Sequence, residues 1–236
     1  MRLYLIRHAD PDYERDSLTE QGRQEAERLA ERLQAIGINY LYTSPAGRTK
    51  ATAKYAADRL DISYQVAPWL QEPSHLKLEQ QGQPYVIWDT FGETVRADPV
   101  LPGSTDWQQR PPFDRPDLAQ VWRDFQARAD RLTADHGYSR VGGRYRPDRP
   151  NQDRIALVGH NGTVLLFLAH LLALPLPLVW CGFYAWPASL TTIHFESWSA
   201  EWAVPRALGV ADVSHLYAAG LPPQPRAMGE WYEAYR

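Results

Sequence analysis

The sequence predicts an α/β fold, a three-layer α/β/α sandwich with a mostly parallel central sheet and an inserted cap region. Three observations carry that prediction. Short apolar runs are too continuous for strands with one wet face, helical periodicities separate them, and a stretch rich in Pro, Gly, Trp and Arg, residues 73–153, interrupts the alternation. The 236 residues are read as one domain, 1–236, with that stretch as its insertion.

The elements follow in order. Residues 2–6 are mostly apolar and alternate little, as a strand buried on both faces does, and His8 falls at its C-terminal end. Ala26, Leu29, Ala30, Leu33 and Ile36 recur at helical spacing after Thr19, a candidate N-cap, and before Gly37, a candidate stop. Residues 38–43 read as the next strand. Ser44-Pro45 then reads as a cap followed by proline at the first helical position, opening a helix to about Leu60 with Arg48 in its first turn. A short strand around Tyr64–Val66 leads to Trp69-Leu70-Gln71-Glu72. Inside the insertion, Leu118, Val121, Trp122, Phe125, Ala129 and Leu132 have helical spacing, and Gly142-Gly143 marks a hairpin. Residues 155–158 form a buried strand, Gly159-His160-Asn161-Gly162 its turn, and residues 163–174 an apolar helix. Strands near 189–195 and 201–208 finish the sheet.

Composition narrows the function classes. A formal net charge of -3 gives no general attraction to nucleic acid or to an anionic membrane, so any anion site must be local. One cysteine, Cys181, excludes an intrachain disulfide and a cysteine-rich metal site, and fits a cytoplasmic protein. No Asp, Glu, Lys or Arg occurs from Asn161 to Phe195, but Pro175, Pro177 and Pro187 break that run, which reads as core helix, loop and strand and not as a membrane span.

Open sheets of this kind bind ligands at the carboxyl ends of their strands, where His8 and His160 both fall. Arg7, His8, Arg48 and His160 together offer two guanidiniums and two imidazoles. Arginine matches phosphate oxygens bidentately, and the helix N-termini after Ser44 and Asn161 are expected to add free backbone N–H groups, so a phosphate dianion could be held with no metal and no cofactor. Arginine is electrostatically misplaced in a first helical turn unless an anion sits there, which favours the same reading for Arg48.

Four separated pieces now resemble a known family, the histidine phosphatase superfamily that includes the phosphoglycerate mutases. They are Leu5-Ile6-Arg7-His8-Ala9, Thr43-Ser44-Pro45-Ala46-Gly47-Arg48-Thr49, Leu70-Gln71-Glu72 and Val158-Gly159-His160-Asn161-Gly162, in family order. Leu18-Thr19-Glu20-Gln21-Gly22 and, more weakly, Ser214-His215-Leu216 support them. Ala9 stands where many members have glycine, and Asn161 where a small residue is frequent. The resemblance covers residues 1–72 and 154–195 well and the insertion poorly.

The resemblance implies a metal-independent phosphatase that hydrolyses a small phosphorylated metabolite through phosphohistidine. His8 would be the nucleophile, its other ring nitrogen donating to a backbone carbonyl that fixes the tautomer. Arg7, Arg48 and His160, with Asn161, would bind the phosphoryl oxygens. Glu72 would protonate the leaving oxygen and then activate water, which requires a raised pKa, with Asp89 or Glu93 as substitutes from the insertion. Two alternatives stay open: a phosphoglycerate mutase, against which Pro73-Ser74-His75 replaces the Arg-His-Tyr-Gly run of cofactor-dependent mutases, and a noncatalytic phosphate-binding protein.

Plainer roles are expected elsewhere. Ser44 and Thr19 read as N-caps, and Asp10 and Asp12 as turn residues. His75, His136, His170, His194 and His215 show no ligand pattern. The insertion's aromatics (Tyr85, Trp88, Phe91, Trp107, Phe113, Trp122, Phe125) read mainly as the small core of a cap, with a pocket lining as the other use.

Overall fold

The computed structural model describes residues 1–224. Strand β1 (Arg2–Arg7) is followed by two short strands, β2 (Pro11–Asp12) and β3 (Ser17–Leu18), then α1 (Glu20–Ile36), β4 (Tyr40–Thr43), α2 (Gly47–Leu60) and β5 (Tyr64–Val66). The insertion holds a hairpin β6 (Lys77–Gln80) and β7 (Gln83–Val86), a single turn α3 (Gly92–Val95), the long α4 (Pro116–Asp135), and a second hairpin β8 (Tyr138–Val141) and β9 (Arg144–Pro147). The chain closes with β10 (Arg154–Gly159), α5 (Asn161–Leu171), α6 (Leu176–Gly182), β11 (Leu190–Glu196), β12 (Val204–Asp212) and α7 (Ser214–Ala218).

One six-stranded sheet runs β12-β11-β1-β10-β4-β5. The pairs β1–β10, β10–β4 and β4–β5 are parallel, while β11 runs antiparallel to β1 and to β12. Successive side chains of β1 point to opposite faces. Tyr4 and Ile6 join α1 and α2 in one core, and Leu3 and Leu5 join α5 in the other. That double burial is the reason the strand alternates so little in sequence.

Local chemistry sets the first helix where it was expected. The Thr19 hydroxyl caps α1 by accepting the Gly22 N–H at 3.0 Å, and Gly37 ends it with φ 76°. The second helix starts later than Ser44-Pro45 implied. Its N-cap is Ala46, which makes no side-chain cap bond, and the Ser44 hydroxyl turns to other work described below. Prolines misplaced a third element: Pro175 and Pro177 do not end structure but begin α6, where a missing N–H costs nothing. Among the described residues no helix is long and apolar enough to cross a membrane.

The insertion does not keep a core of its own. Trp107, Phe113, Trp122 and Phe125 lie in the same core as Leu3, Leu157 and Phe167, with Phe125 meeting Phe167 of α5 edge-on at 4.9 Å. Those rings therefore form the second helical layer of the sandwich, because α5 is apolar on all sides and needs cover away from the sheet as well.

Candidate active site

Register brings the two histidines together. Arg7 pairs with Gly159 across β1 and β10, so the next residue on each strand, His8 and His160, emerges at the same edge with ring centroids 5.4 Å apart. Both are buried, at 2% and 0% exposure. The His8 backbone N–H donates to Gly159 O at 2.9 Å, which locks the juxtaposition.

Partners fix both tautomers. His8 Nδ1 lies 2.8 Å from Ala9 O, a group that can only accept, so Nδ1 carries the proton and Nε2 keeps its lone pair. Arg48 Nε donates to that Nε2 at 3.3 Å, and Arg48 Nη2 reaches His160 Nδ1 at 3.2 Å. His160 must therefore carry its proton on Nε2, which faces the Ser44 hydroxyl at 2.9 Å; Ser44 in turn donates to Gln71 Oε1 at 3.2 Å. Ser44 thus orients a site histidine, correcting its reading as an N-cap. Burial, then the nearby Arg7 charge, holds His8 well below the ordinary histidine pKa, and burial with Arg48 pushes His160 down to about 3. Both imidazoles are neutral at physiological pH.

Arg7 is 4% exposed. Its Nη1 donates to Ala185 O at 2.8 Å and its guanidinium lies over the Tyr184 ring at 5.3 Å, while Nε has no hydrogen-bond partner among the described residues. A buried guanidinium N–H left open is costly unless an anion completes it. Asn161 is held by its carbonyl, which accepts the Ala185 N–H at 3.0 Å, so its amide N–H groups form the donor end.

Glu72 comes to the same place from the end of the β5 segment. Thr163 Oγ1 donates to Leu70 O at 3.0 Å, tying that segment to α5, and Glu72 Oε1 accepts the Gly162 N–H at 2.6 Å. A Cβ on Gly162 would stand 2.8 Å from Trp88 Cδ2 and 2.9 Å from Glu72 Oε1, so glycine there admits the indole and the carboxyl together. Burial raises the Glu72 pKa to about 7 against the pull of Gly162, Arg7 and Arg48. Asp89, on the turn carrying Trp88, is also lifted by burial, to about 6, and interacts electrostatically with Arg7 and Glu72. Glu93 is exposed on α3.

The expectation of two free helix N-termini is corrected, since both hold carboxylates of the chain itself. Gly162 of α5 serves Glu72, and at α2 the Asp16 carboxylate accepts the Gly47 N–H at 2.6 Å and pairs with Arg48 Nη1 at 2.7 Å. Burial works against Asp16 ionisation, but Gly47 and Arg48 outweigh it and its pKa lies below that of ordinary Asp. The anion that first-turn Arg48 requires is therefore Asp16. Asp16, Gln71 and Tyr184 are site residues to which the sequence reading gave no role, and Trp88, read there mainly as cap core, lies against Gly162 at the site. Only Asp16 had a signal, an acid in the loop facing a cation misplaced on its helix.

Other histidines stand apart from the site. His136 bridges Tyr42 and Asp153, both at 3.0 Å, His170 pairs with Asp130 at 2.7 Å, and His215 meets Arg32 at 3.1 Å. Asp10 is buried and accepts from Thr19 Oγ1 at 2.7 Å, a loop-building role. Among the described residues no group of three or more His, Cys, Asp or Glu is placed to hold a metal ion.

The model of the histidine phosphatase superfamily (branch 1) matches residues 3–205 of this chain. The chain belongs to the histidine phosphatase superfamily. Within it, the chain is 33% identical over 90 residues to "Probable phosphoglycerate mutase GpmB" of Erwinia tasmaniensis, an alignment covering 34% of this chain and 42% of that protein. The chain thus matches less than half the length of that relative. The histidine phosphatase fold is shared with phosphoserine phosphatase from Entamoeba histolytica in complex with 3-phosphoglyceric acid (TM-score 0.61, 17% identity, 91% of this chain and 98% of that one). It is shared too with YhfR of Bacillus stearothermophilus (TM-score 0.60, 24% identity, 91% and 98%). A mycobacterial glucosyl-3-phosphoglycerate phosphatase complexed with VO3 has it as well (TM-score 0.53, 23% identity, 88% and 97%).

Proposed function

We propose that the chain is a metal-independent phosphatase that hydrolyses a small phosphomonoester through a phosphohistidine on His8. The observation that carries the reading is the unprotonated Nε2 of His8, held beside His160, Arg48 and an Arg7 whose buried Nε lacks a partner among the described residues. The neutral nucleophile needs no base, and the arginines supply the charge that a phosphoryl group requires.

In the first step His8 Nε2 forms the N–P bond in line as the P–O ester bond breaks, and Glu72 gives its proton to the leaving alkoxide. Arg48 leaves the two imidazoles for the phosphoryl oxygens, remaining anchored by Asp16. In the second step ionised Glu72 takes a proton from water as its oxygen attacks phosphorus, and the N–P bond returns its electron pair to His8. Glu72 is the acid in this reading because it touches Gly162 in the turn that carries His160.

A second reading, a mutase that returns the phosphoryl group to bound product, is favoured by the name of the GpmB relatives. The deciding experiment is phosphate release from a panel of small phosphomonoesters in chelator-containing buffer, wild type against His8→Ala, with acid-labile phosphate on the protein followed in parallel. Hydrolysis and labelling by the wild type, both lost in the variant, are expected. Activity surviving in His8→Ala would overturn the assignment, and isomerisation of phosphoglycerate in place of hydrolysis would select the mutase.

A further inference from the structure

The organic half of the substrate must sit at the rim of the phosphoryl site, and that rim is acidic. The turn Ile87–Asp89 is pinned firmly. Trp88 packs against Gly162, buried Gln80 donates to Asp89 O at 3.3 Å and accepts the Phe91 N–H at 2.6 Å, and buried Thr90 donates to Ile87 O at 2.5 Å. Two buried polar side chains and an indole thus hold in place a turn whose next side chain is Asp89. Among the described residues no donor satisfies the Asp89 carboxylate, which interacts electrostatically with Arg7, Glu72 and Lys77.

The charge balance points the same way. A phosphomonoester brings about two negative charges near neutral pH. Arg7 and Arg48 match them, but Arg48 already shares its Nη1 with Asp16, and Tyr184 and Tyr13 cover the guanidinium faces at 5.3 and 5.6 Å. Lys77, exposed on β6, is the further cation within reach of Asp89. A carboxylate or second phosphate on the substrate would meet Asp89 with no guanidinium to spare.

We infer that the site selects phosphomonoesters whose alcohol part is a hydrogen-bond donor without negative charge, a polyol or an amino alcohol, with Asp89 as the residue that reads it. The inference rests on the phosphatase reading for its turnover arm and has a binding arm that does not. In the first arm kcat/KM is measured for ethanolamine phosphate, glycerol phosphate, phosphoglycolate and 3-phosphoglycerate with the wild type and Asp89→Asn. The two uncharged or cationic esters are expected to exceed the carboxylated pair by about 10-fold or more, the size of one like-charge contact at the edge of a protein. Asp89→Asn should raise the carboxylated pair about fivefold relative to glycerol phosphate and remove any advantage of ethanolamine phosphate over it. Because Asp89 also lifts the Glu72 pKa, the alkaline limb with glycerol phosphate should move to lower pH in that variant, which a purely structural role would not produce.

In the second arm the affinities of the same four esters are measured by titration calorimetry with His8→Ala, which removes turnover. The same order sustains the inference even where no ester is hydrolysed, an outcome that would remove the phosphatase reading alone. Preference for the carboxylated esters in either arm, or ratios untouched by Asp89→Asn, overturns it.

Discussion

At the scale of single residues the site is a set of displaced proton equilibria. In the proposed reaction Glu72 carries a proton to the leaving alcohol, and its pKa near 7 then places the fall in kcat/KM on the alkaline side of about that pH. His8 stays neutral far into acid, so it contributes no acid limb near neutrality. Glu72→Gln should lose about 10²- to 10⁴-fold on alkyl phosphates together with the alkaline limb, and far less on p-nitrophenyl phosphate, whose leaving group needs no proton. An alkaline limb persisting in the variant would assign it elsewhere. The same shift sets a stability trend. Between 4.5 and about 7 the folded protein keeps a proton that the unfolded chain has released, so folding stability falls as pH rises through that window. Urea unfolding should show Glu72→Gln more stable than wild type at pH 8, by about 1–2 kcal/mol after allowance for the partly accessible carboxyl, and equal to it at pH 4. Residues of this set that follow motif order, Arg7, His8, Arg48, Glu72 and His160, were legible in the sequence. Asp89 was visible only as a substitute acid, because its field depends on how the insertion folds. Tyr184 lies in an uncharged run that offers no periodicity to place it.

At the scale of elements the site depends on two helix N-termini, each closed by a carboxylate from elsewhere in the chain. The Asp16 backbone oxygen would lie 2.0 Å from a Cβ on residue 47, so the loop reaches α2 only because Gly47 is glycine. Asp16→Ala should cost about 1 kcal/mol of stability as a lost cap, seen in chemical denaturation, and also lower kcat as Arg48 loses its anchor. Asp16→Asn keeps an acceptor for the Gly47 N–H and should recover most of the stability but not the rate. Equal recovery of both would make the loop a passive cap. Gly162→Ala tests the other helix: its methyl must displace Trp88 or Glu72, so activity should fall about 100-fold or more, and the alkaline limb should shift as the carboxyl loses its N–H. Strands and long helices were readable because apolar period follows from which faces are buried. The α2 start and α6 were not, since proline signals both a break and a first turn, and only tertiary contacts decide between them. The β6–β7 hairpin turns on Gln81-Gly82, with φ 50° and 75°, a signal hidden in a glutamine-rich stretch.

At the scale of the whole molecule the question is whether the insertion unfolds with the sheet or ahead of it. A cap with a core of its own would melt separately, but here Trp122 stacks on Phe125 at 10°, and Phe125 meets Phe167 of α5, which packs on β1 and β10. Losing α4 would strip one side of α5 and expose the face that holds Leu3, Leu5 and Leu157, so the two parts share most of their stabilising area. The distribution of indoles makes this measurable. Trp88, Trp107, Trp122 and Trp180 are buried in that core, whereas among the described residues the core under α1 and α2 contains no tryptophan. The blue-shifted emission of buried indoles therefore follows the insertion face, and helical dichroism also counts α1 and α2 on the other. We expect the two signals, and the loss of the proposed activity, to coincide in one urea transition. Trp122→Ala should shift that single transition by about 3–5 kcal/mol without splitting it, the cost of a large ring removed from a shared core. Fluorescence changing at lower urea than dichroism would instead show that the insertion melts first and that the cover on α5 contributes little to the rest. The same outcome would weaken the acidic-rim inference, because Asp89 reaches the phosphoryl site only while the insertion stays packed on Gly162 through Trp88.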